Sequence, residues 1–149
     1  MTAVSAPDAP IGPDELLASL NELLEAERAG ARVARETAEQ IGADDPMHAL
    51  VLDIQHDEVR WCGMLMRVIR ALPATPSVQT GAFHGKAMAI APLGERLAFL
   101  NRGQAWVVRR LQALIPRVSD AAVRGELQTM LDAHVGNIER VEQRLTQAS

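Results

Sequence analysis

Apolar residues recur at steps of three and four in four stretches of the chain, which is the spacing of one face of an α-helix. The four helices that this pattern predicts cover about residues 14–41, 46–72, 93–115 and 120–145. Gly42 closes the first, Pro73 stops the second and Pro116 ends the third. Ser119 stands where an N-terminal cap of the fourth helix is expected. The pattern therefore predicts an all-α protein.

The lengths of the connections predict how these helices are joined. The first and last connections are short, so each should form an antiparallel helical hairpin. Residues 73–92 form a longer connection, rich in Pro, Gly, Ala, Ser and Thr. Such a segment can reach about 65 Å, which exceeds the roughly 40 Å of a 27-residue helix. We predict a four-helix bundle over residues 13–149, built from two hairpins joined by one long crossover, after a disordered tail over residues 1–12.

Each predicted apolar stripe is interrupted once, near its middle, by a polar residue. The four interruptions are Glu27, Glu58, Gln104 and His134. Within each hairpin the two polar residues lie at nearly equal sequence distances from the turn, so they should face each other at one height. An unpaired buried carboxylate costs several kcal/mol, which makes four unrelated interruptions improbable. The pattern therefore predicts a single polar cluster in the centre of the bundle.

The residues around these positions resemble the metal-binding motifs of the ferritin-like superfamily, which includes bacterioferritin and rubrerythrin. Residues 23–27 read LLEAE, similar to the first-helix signature of that family, and residues 58–62 read EVRWC in place of Glu-x-x-His. Gln104 stands where the third helix would carry a Glu, and residues 134–137 read HVGN in place of the second Glu-x-x-His. The resemblance implies the ferritin-like bundle and a reduced form of its di-metal site.

The departures from the family motif predict a site for one ion. A di-iron site needs several carboxylates, and this cluster supplies two. Glu27, Glu58 and His134 could hold one divalent transition-metal ion, such as iron, manganese or zinc, with water completing its coordination. Trp61 replaces a family histidine and would fill the space of a second ion.

Two other interpretations of the polar cluster stay open. Gln104 and Asn137 could join the carboxylates and His134 in a metal-free hydrogen-bond network, in a protein that acts through its outer surface. The cluster could also form a pocket for a small ligand. The sequence assigns no catalytic activity.

Composition and charge exclude several classes of partner. The net charge is −4 with both signs interspersed, so a nucleic-acid-binding surface is not expected. No apolar run has the length of a membrane span. Cys62 is the only cysteine, and the first residues lack a signal-peptide pattern, so we expect a cytoplasmic protein.

A second apolar stripe lies on the third predicted helix, opposite Gln104. Phe99, Gly103 and Trp106 form it at helical spacing. Either the crossover or a second copy of the chain must cover these residues. Because ferritin-like proteins commonly pair through such helix faces, we expect a homodimer through Phe99 and Trp106.

Overall fold

A computed structural model describes residues 9–148 of the chain. Within this range five α-helices form, and no residue adopts a β-strand. They are α1 (Pro13–Ile41), α2 (His48–Ala71), α3 (Phe83–Met88), α4 (Leu93–Leu114) and α5 (Ala121–Ala148), with a 3₁₀ turn over Ile115–Arg117. The all-α prediction is confirmed, and the four long helices begin and end within three residues of their predicted limits. The short α3 was not predicted.

Local sequence signals explain where the helices begin and end. Pro13 occupies the first position of α1, where its missing N–H is not needed. Gly42 ends the helix with a φ of 76°, a conformation that glycine adopts without a Cβ clash. Asp120, rather than the predicted Ser119, caps α5, because its Oδ1 accepts hydrogen bonds from Ala122 N–H at 2.9 Å and Val123 N–H at 3.0 Å.

Side-chain pairs show that α2 and α5 are antiparallel neighbours. Near the end of α2, Arg67 contacts Glu126 in the first turns of α5. Near its beginning, Asp53 pairs with Arg140 at 2.9 Å, much later in α5. The sequence order of these contacts is opposite in the two helices.

The helices α1 and α4 are antiparallel by the same criterion. Arg117, just after α4, pairs with Glu15 in the first turn of α1 at 2.7 Å. Arg96, in the first turn of α4, donates to Thr37 near the end of α1 at 3.2 Å. Since the turn at Gly42 joins α1 to α2 as a hairpin, α2 and α4 run in the same direction. The connection between them must therefore return along the helices.

This connection, residues 72–92, follows α1 from its third turn to near its end. Its backbone and side chains contact successive positions of that helix: Ser77 N–H donates to Asn21 Oδ1 at 2.8 Å, Gln79 O accepts from Arg28 at 2.9 Å, and His84 pairs with Glu36. The short α3 lies in the second half of the connection. The segment therefore forms part of the wall of the molecule beside α1.

Arg96 fixes the end of this connection to α1 and α4. Its guanidinium is buried, with 6% of the residue exposed. It donates to the carbonyl oxygens of Ile90 at 2.9 Å and Met88 at 3.4 Å, and to Gln40 Oε1 at 2.7 Å. One side chain therefore satisfies backbone acceptors that no helix hydrogen bond serves.

Replacing Arg96 by methionine should lower the free energy of unfolding by about 2–4 kcal/mol, because buried acceptors lose a charged donor. Urea unfolding measures the difference. Arg70→Met, at an exposed position late in α2, is the matched control and should change stability by less than about 0.5 kcal/mol. Equal effects of the two substitutions would show that Arg96 does not anchor the connection.

The predicted N-terminal tail lies partly outside the described residues, which begin at Ala9. Residues 9–12 lie against the turn that follows α4. Ile11 N–H donates to Arg117 O at 3.0 Å, and Arg117 Nε donates to Ala9 O at 2.9 Å. In the part of the chain that the structure covers, no helix is long and apolar enough to cross a membrane.

The buried apolar side chains form two clusters, one toward each end of the long helices. One cluster contains Leu20, Leu24, Leu65, Leu111, Leu127 and Met130 among others. The other contains Val33, Ala34, Ile54, Leu97, Leu100 and Val141 among others. On every long helix the break between the clusters falls at the polar residue that interrupts the stripe, so a polar layer separates two apolar cores.

Candidate metal centre

Three of the four polar interruptions meet between the two apolar clusters. Glu27 of α1, Glu58 of α2 and His134 of α5 each offer one ligand atom, and these atoms all lie within 4.8 Å of one another. The exposed fractions of the three residues are 1%, 3% and 1%. Two carboxylates and an imidazole are thus gathered in a site almost closed to solvent.

His134 is oriented by its own helix. Its Nδ1 donates to the carbonyl oxygen of Met130, one turn earlier, at 2.9 Å. Nε2 therefore faces Glu27, at 2.9 Å from Oε1 and 3.1 Å from Oε2. Metal-binding histidines usually donate one ring N–H to a carbonyl or carboxylate in this way, which leaves the other nitrogen free to bind the ion.

The protonation of His134 depends on the carboxylate beside it. Burial acts to lower the pKa of the imidazole, but the charge and hydrogen bond of Glu27 outweigh it, with the Met130 carbonyl adding to their effect, so the pKa is raised. In the absence of a cation, His134 and Glu27 can therefore form an ion pair. A cation bound to both residues would replace the proton on Nε2.

Glu58 is a buried carboxyl group with an unsatisfied oxygen. Burial raises its pKa well above the usual value of 4.5, and the negative charges of Glu27 and Asp57 raise it further. Within the described residues, Glu58 Oε2 has no hydrogen-bond partner. A buried carboxylate of this kind needs either a proton or a cation.

Gly30 provides the space for the Glu58 carboxyl group. A Cβ atom at this position of α1 would lie 2.5 Å from Glu58 Oε2 and 2.7 Å from Oε1. Such contacts are far inside van der Waals distance, so the carboxyl group lies directly against the backbone of α1. Gly30 was not among the predicted site residues, although a glycine inside a helix otherwise rich in Ala, Leu and Glu was a usable signal.

Gly30→Ala should displace the Glu58 carboxyl group and weaken Zn²⁺ binding by about tenfold or more. Gly63→Ala in α2 is the matched control, since no atom lies within 4 Å of its added Cβ. By helix propensity alone, either substitution would add about 0.5–1 kcal/mol of stability. We expect thermal unfolding to show this gain in stability for Gly63→Ala and not for Gly30→Ala. Zinc titration measures the affinity of each variant. Equal zinc affinities of Gly30→Ala and Gly63→Ala would refute the role of Gly30.

Gln104, the fourth interruption, lies beside the three ligand candidates. Its exposed fraction is 3%, and its Nε2 donates to Asn101 Oδ1 across 3.5 Å, a weak hydrogen bond. Among the described residues, Gln104 Oε1 has no partner. Gln104 therefore presents a free acceptor rather than closing a network with Glu27 and His134.

The other two residues predicted for the central cluster lie beside it. Asn137 donates to Asp57 Oδ2 at 2.9 Å, and its place in a central network stays a prediction. Trp61 is buried in the apolar cluster next to the site, and its Nε1 has no hydrogen-bond partner in the described part of the chain. Burial, with the charge of Glu27 adding to it, raises the pKa of Cys62 to about 12, so this thiol stays protonated at neutral pH.

A cavity of about 500 Å³ connects the polar layer to the surface between α1, α4 and the long connection. Buried Glu27, Glu58 and Gln104 line its inner part, and exposed Arg102 and Arg109 line its outer part. A small-ligand pocket was one interpretation of the polar cluster, but the walls of the cavity were not predicted, because residues 80–83 of the connection form one of them. The polar layer therefore borders a cavity that reaches the surface on one side of the protein.

The long connection also covers part of the stripe predicted to form a dimer interface. The ring of Phe83 stacks on Phe99, with centroids 5.0 Å apart and an interplanar angle of 18°. The same ring lies against Gly103, where a Cβ atom would come within 2.8 Å of it. Trp106 remains half-buried at the cavity wall. A homodimer through Phe99 and Trp106 stays a prediction.

The three ligand candidates fit one divalent transition-metal ion. Glu27 and Glu58 carry two negative charges when ionised, which matches the charge of a single ion. Carboxylate oxygens and imidazole nitrogens are the donors that zinc, manganese and iron accept. Ligand atoms around a tetrahedral ion lie about 3.4 Å apart at bond lengths near 2.1 Å, so the 4.8 Å cluster needs only side-chain adjustment to close around one.

Residues 14–143 match the model of a family described as a domain of unknown function, DUF6306. The match covers most of the chain, so the protein belongs to this family. The chain matches no curated protein and no solved structure.

Proposed function

We propose that this member of the DUF6306 family is a ferritin-like four-helix bundle whose centre binds one divalent transition-metal ion. Glu27, Glu58 and His134 are the protein ligands. The observation that carries the proposal is the buried cluster itself, two carboxylates and an imidazole within 4.8 Å of one another. The directions of the four long helices and the connection along α1 support the ferritin-like arrangement.

Three protein ligands leave coordination positions of the ion free, and the cavity lies beside them. Catalytic metal sites commonly combine three protein ligands with water or substrate in the remaining position. An ion at this place would supply Lewis acidity to a molecule that enters through the cavity. The chain's own residues hold the ion, orient His134 through Met130 and limit the access of solvent. We assign no specific reaction.

The second candidate is a metal-free structural bundle with a buried polar network. One observation favours it: His134 Nε2 already pairs with Glu27 Oε1 at 2.9 Å. The unpartnered oxygens of Glu58 and Gln104 disfavour it, since a self-sufficient network satisfies its buried acceptors.

Titration of metal-free, untagged protein with Zn²⁺ distinguishes the two candidates. The metal-centre proposal predicts one tightly bound ion per chain, unchanged in His56→Ala, which removes an exposed histidine of α2. A wild-type protein that binds no Zn²⁺, Mn²⁺ or Fe²⁺ would support the structural network instead. Two ions per chain would contradict the single-ion site.

A further inference from the structure

The cavity beside the polar layer has the dimensions of a small-molecule site. Its volume is about 500 Å³, within the roughly 300–1,000 Å³ typical of ligand pockets. It lies between two helices and the connection that runs along α1. Ligand pockets of helical bundles commonly occupy such positions.

The walls of the cavity are largely apolar and aromatic. Phe83 and Phe99 form one side as a stacked pair, and Trp106 contributes a further ring from α4. Ala26 of α1 contributes a small side chain to the lining. Flat rings with an alanine among them leave space for a ring-sized apolar body.

The floor of the cavity offers buried oxygen atoms that have no hydrogen-bond partner. Gln104 Oε1 and Glu58 Oε2 are buried, line the cavity and have no hydrogen-bond partner among residues 9–148. A ligand that reaches Gln104 Oε1 must bring a hydrogen-bond donor, which a hydroxyl group supplies and a carboxylate head group lacks.

We infer that the cavity binds a small aromatic alcohol, with its ring beside Phe99 and Trp106 and its hydroxyl donating to Gln104 Oε1. A hydroxyl group matches this floor because it donates one hydrogen and keeps an oxygen lone pair. The inference stands apart from the proposed metal, since Gln104 is not one of the three metal ligands.

The test uses calorimetric titration of the full-length protein with 2-naphthol and with 2-naphthoate, which share one ring system and differ in head group. We expect submillimolar binding of 2-naphthol and at least about tenfold weaker binding of 2-naphthoate. No binding of 2-naphthol, or equal binding of the two compounds, would overturn the inference.

Two variants locate the binding. Ala26→Phe fills the cavity and should weaken 2-naphthol binding by about tenfold or more, whereas Ala18→Phe, at an exposed position of the same helix, should not. Gln104→Leu keeps the size of the side chain and should weaken binding by about tenfold through loss of the acceptor. Gln104→Leu provides a second test if Ala26→Phe does not fold. Wild-type affinity in folded Gln104→Leu would contradict the placement.

The metal and the ligand are separable in the same experiments. Zn²⁺ binding should remain at one ion per chain in Ala26→Phe, where the ligand is lost. Binding of 2-naphthol should persist in His134→Ala, where the ion is lost, because His134 does not line the cavity. Loss of 2-naphthol binding in His134→Ala alone would overturn the independence of the two sites.

Discussion

His134→Ala should weaken Zn²⁺ binding by about 100-fold or more. The substitution removes one of three protein ligands, and loss of even an outer partner of a metal ligand commonly costs 10–100-fold in affinity. His134 is also fixed for this role, since its Nδ1 donates to Met130 O at 2.9 Å. Competition with a chelator of known zinc affinity measures the change. An unchanged affinity would remove His134 from the site.

Glu58→Gln is the companion variant, because it separates metal binding from folding. It keeps the shape of the side chain and removes the charge that burial opposes. We expect Zn²⁺ affinity to fall as in His134→Ala, while the metal-free protein becomes more stable toward urea at neutral pH. If Glu58→Gln lost zinc binding because it misfolded, the metal-free variant would instead be less stable toward urea than the wild-type protein. Glu25→Gln, two residues from Glu27 on α1, is the control and should change neither property.

The metal-free protein should lose stability as the pH rises from about 5 to 8. The pKa values of Glu58 and His134 are both raised by their surroundings. Between the unfolded and folded pKa of each group the native state binds more protons than the unfolded state, so the stability each contributes is lost as pH rises. The loss of stability due to Glu58 begins above about pH 4.5 and that due to His134 above about pH 6.5, the pKa values of these groups in the unfolded chain.

Other carboxylates act in the opposite direction at lower pH. Hydrogen bonds from Arg117 and His84 lower the pKa values of Glu15 and Glu36, and the stability these carboxylates contribute is lost as pH falls below 4.5. Stability of the metal-free protein should therefore be greatest near pH 5.

Zn²⁺ should reverse the trend above pH 5. The ion binds the deprotonated ligands, so its affinity rises with pH and its binding releases protons. Urea midpoints measured from pH 5 to 8, with and without saturating Zn²⁺, test both trends. A metal-free midpoint that stays constant or rises over this range would contradict the pKa assignments. In metal-free Glu58→Gln, the decrease in urea midpoint that begins near pH 4.5 should disappear. Only the decrease due to His134 should remain.

The convergence of Glu27, Glu58 and His134 could be predicted from the sequence because it follows from helix periodicity and turn position. A stripe at steps of three and four determines which side of a helix faces inward. The distance of a residue from a hairpin turn determines its height. The inward face of a helix and the height of a residue along it can both be predicted without knowing side-chain conformations.

The cavity and its lining could not be predicted in the same way. The connection over residues 72–92 has no hydrophobic periodicity, so the position of Phe83 on Phe99 depends on tertiary contacts such as those of Arg96. The contact between Gly30 and Glu58 depends on how closely α1 and α2 approach. The partner of Asn137 likewise depends on tertiary contacts: His134 faces Glu27, whereas Asn137, three residues later, donates to Asp57.

Anomalous diffraction from crystals grown with Zn²⁺ tests the central claim most directly. Data collected on both sides of the zinc absorption edge locate the ion independently of any assumption about its ligands. We expect one anomalous peak per chain, about 2.0–2.2 Å from His134 Nε2 and from a carboxylate oxygen of both Glu27 and Glu58. A structure without a peak at this place, or with zinc bound only by surface residues such as His56, would contradict it.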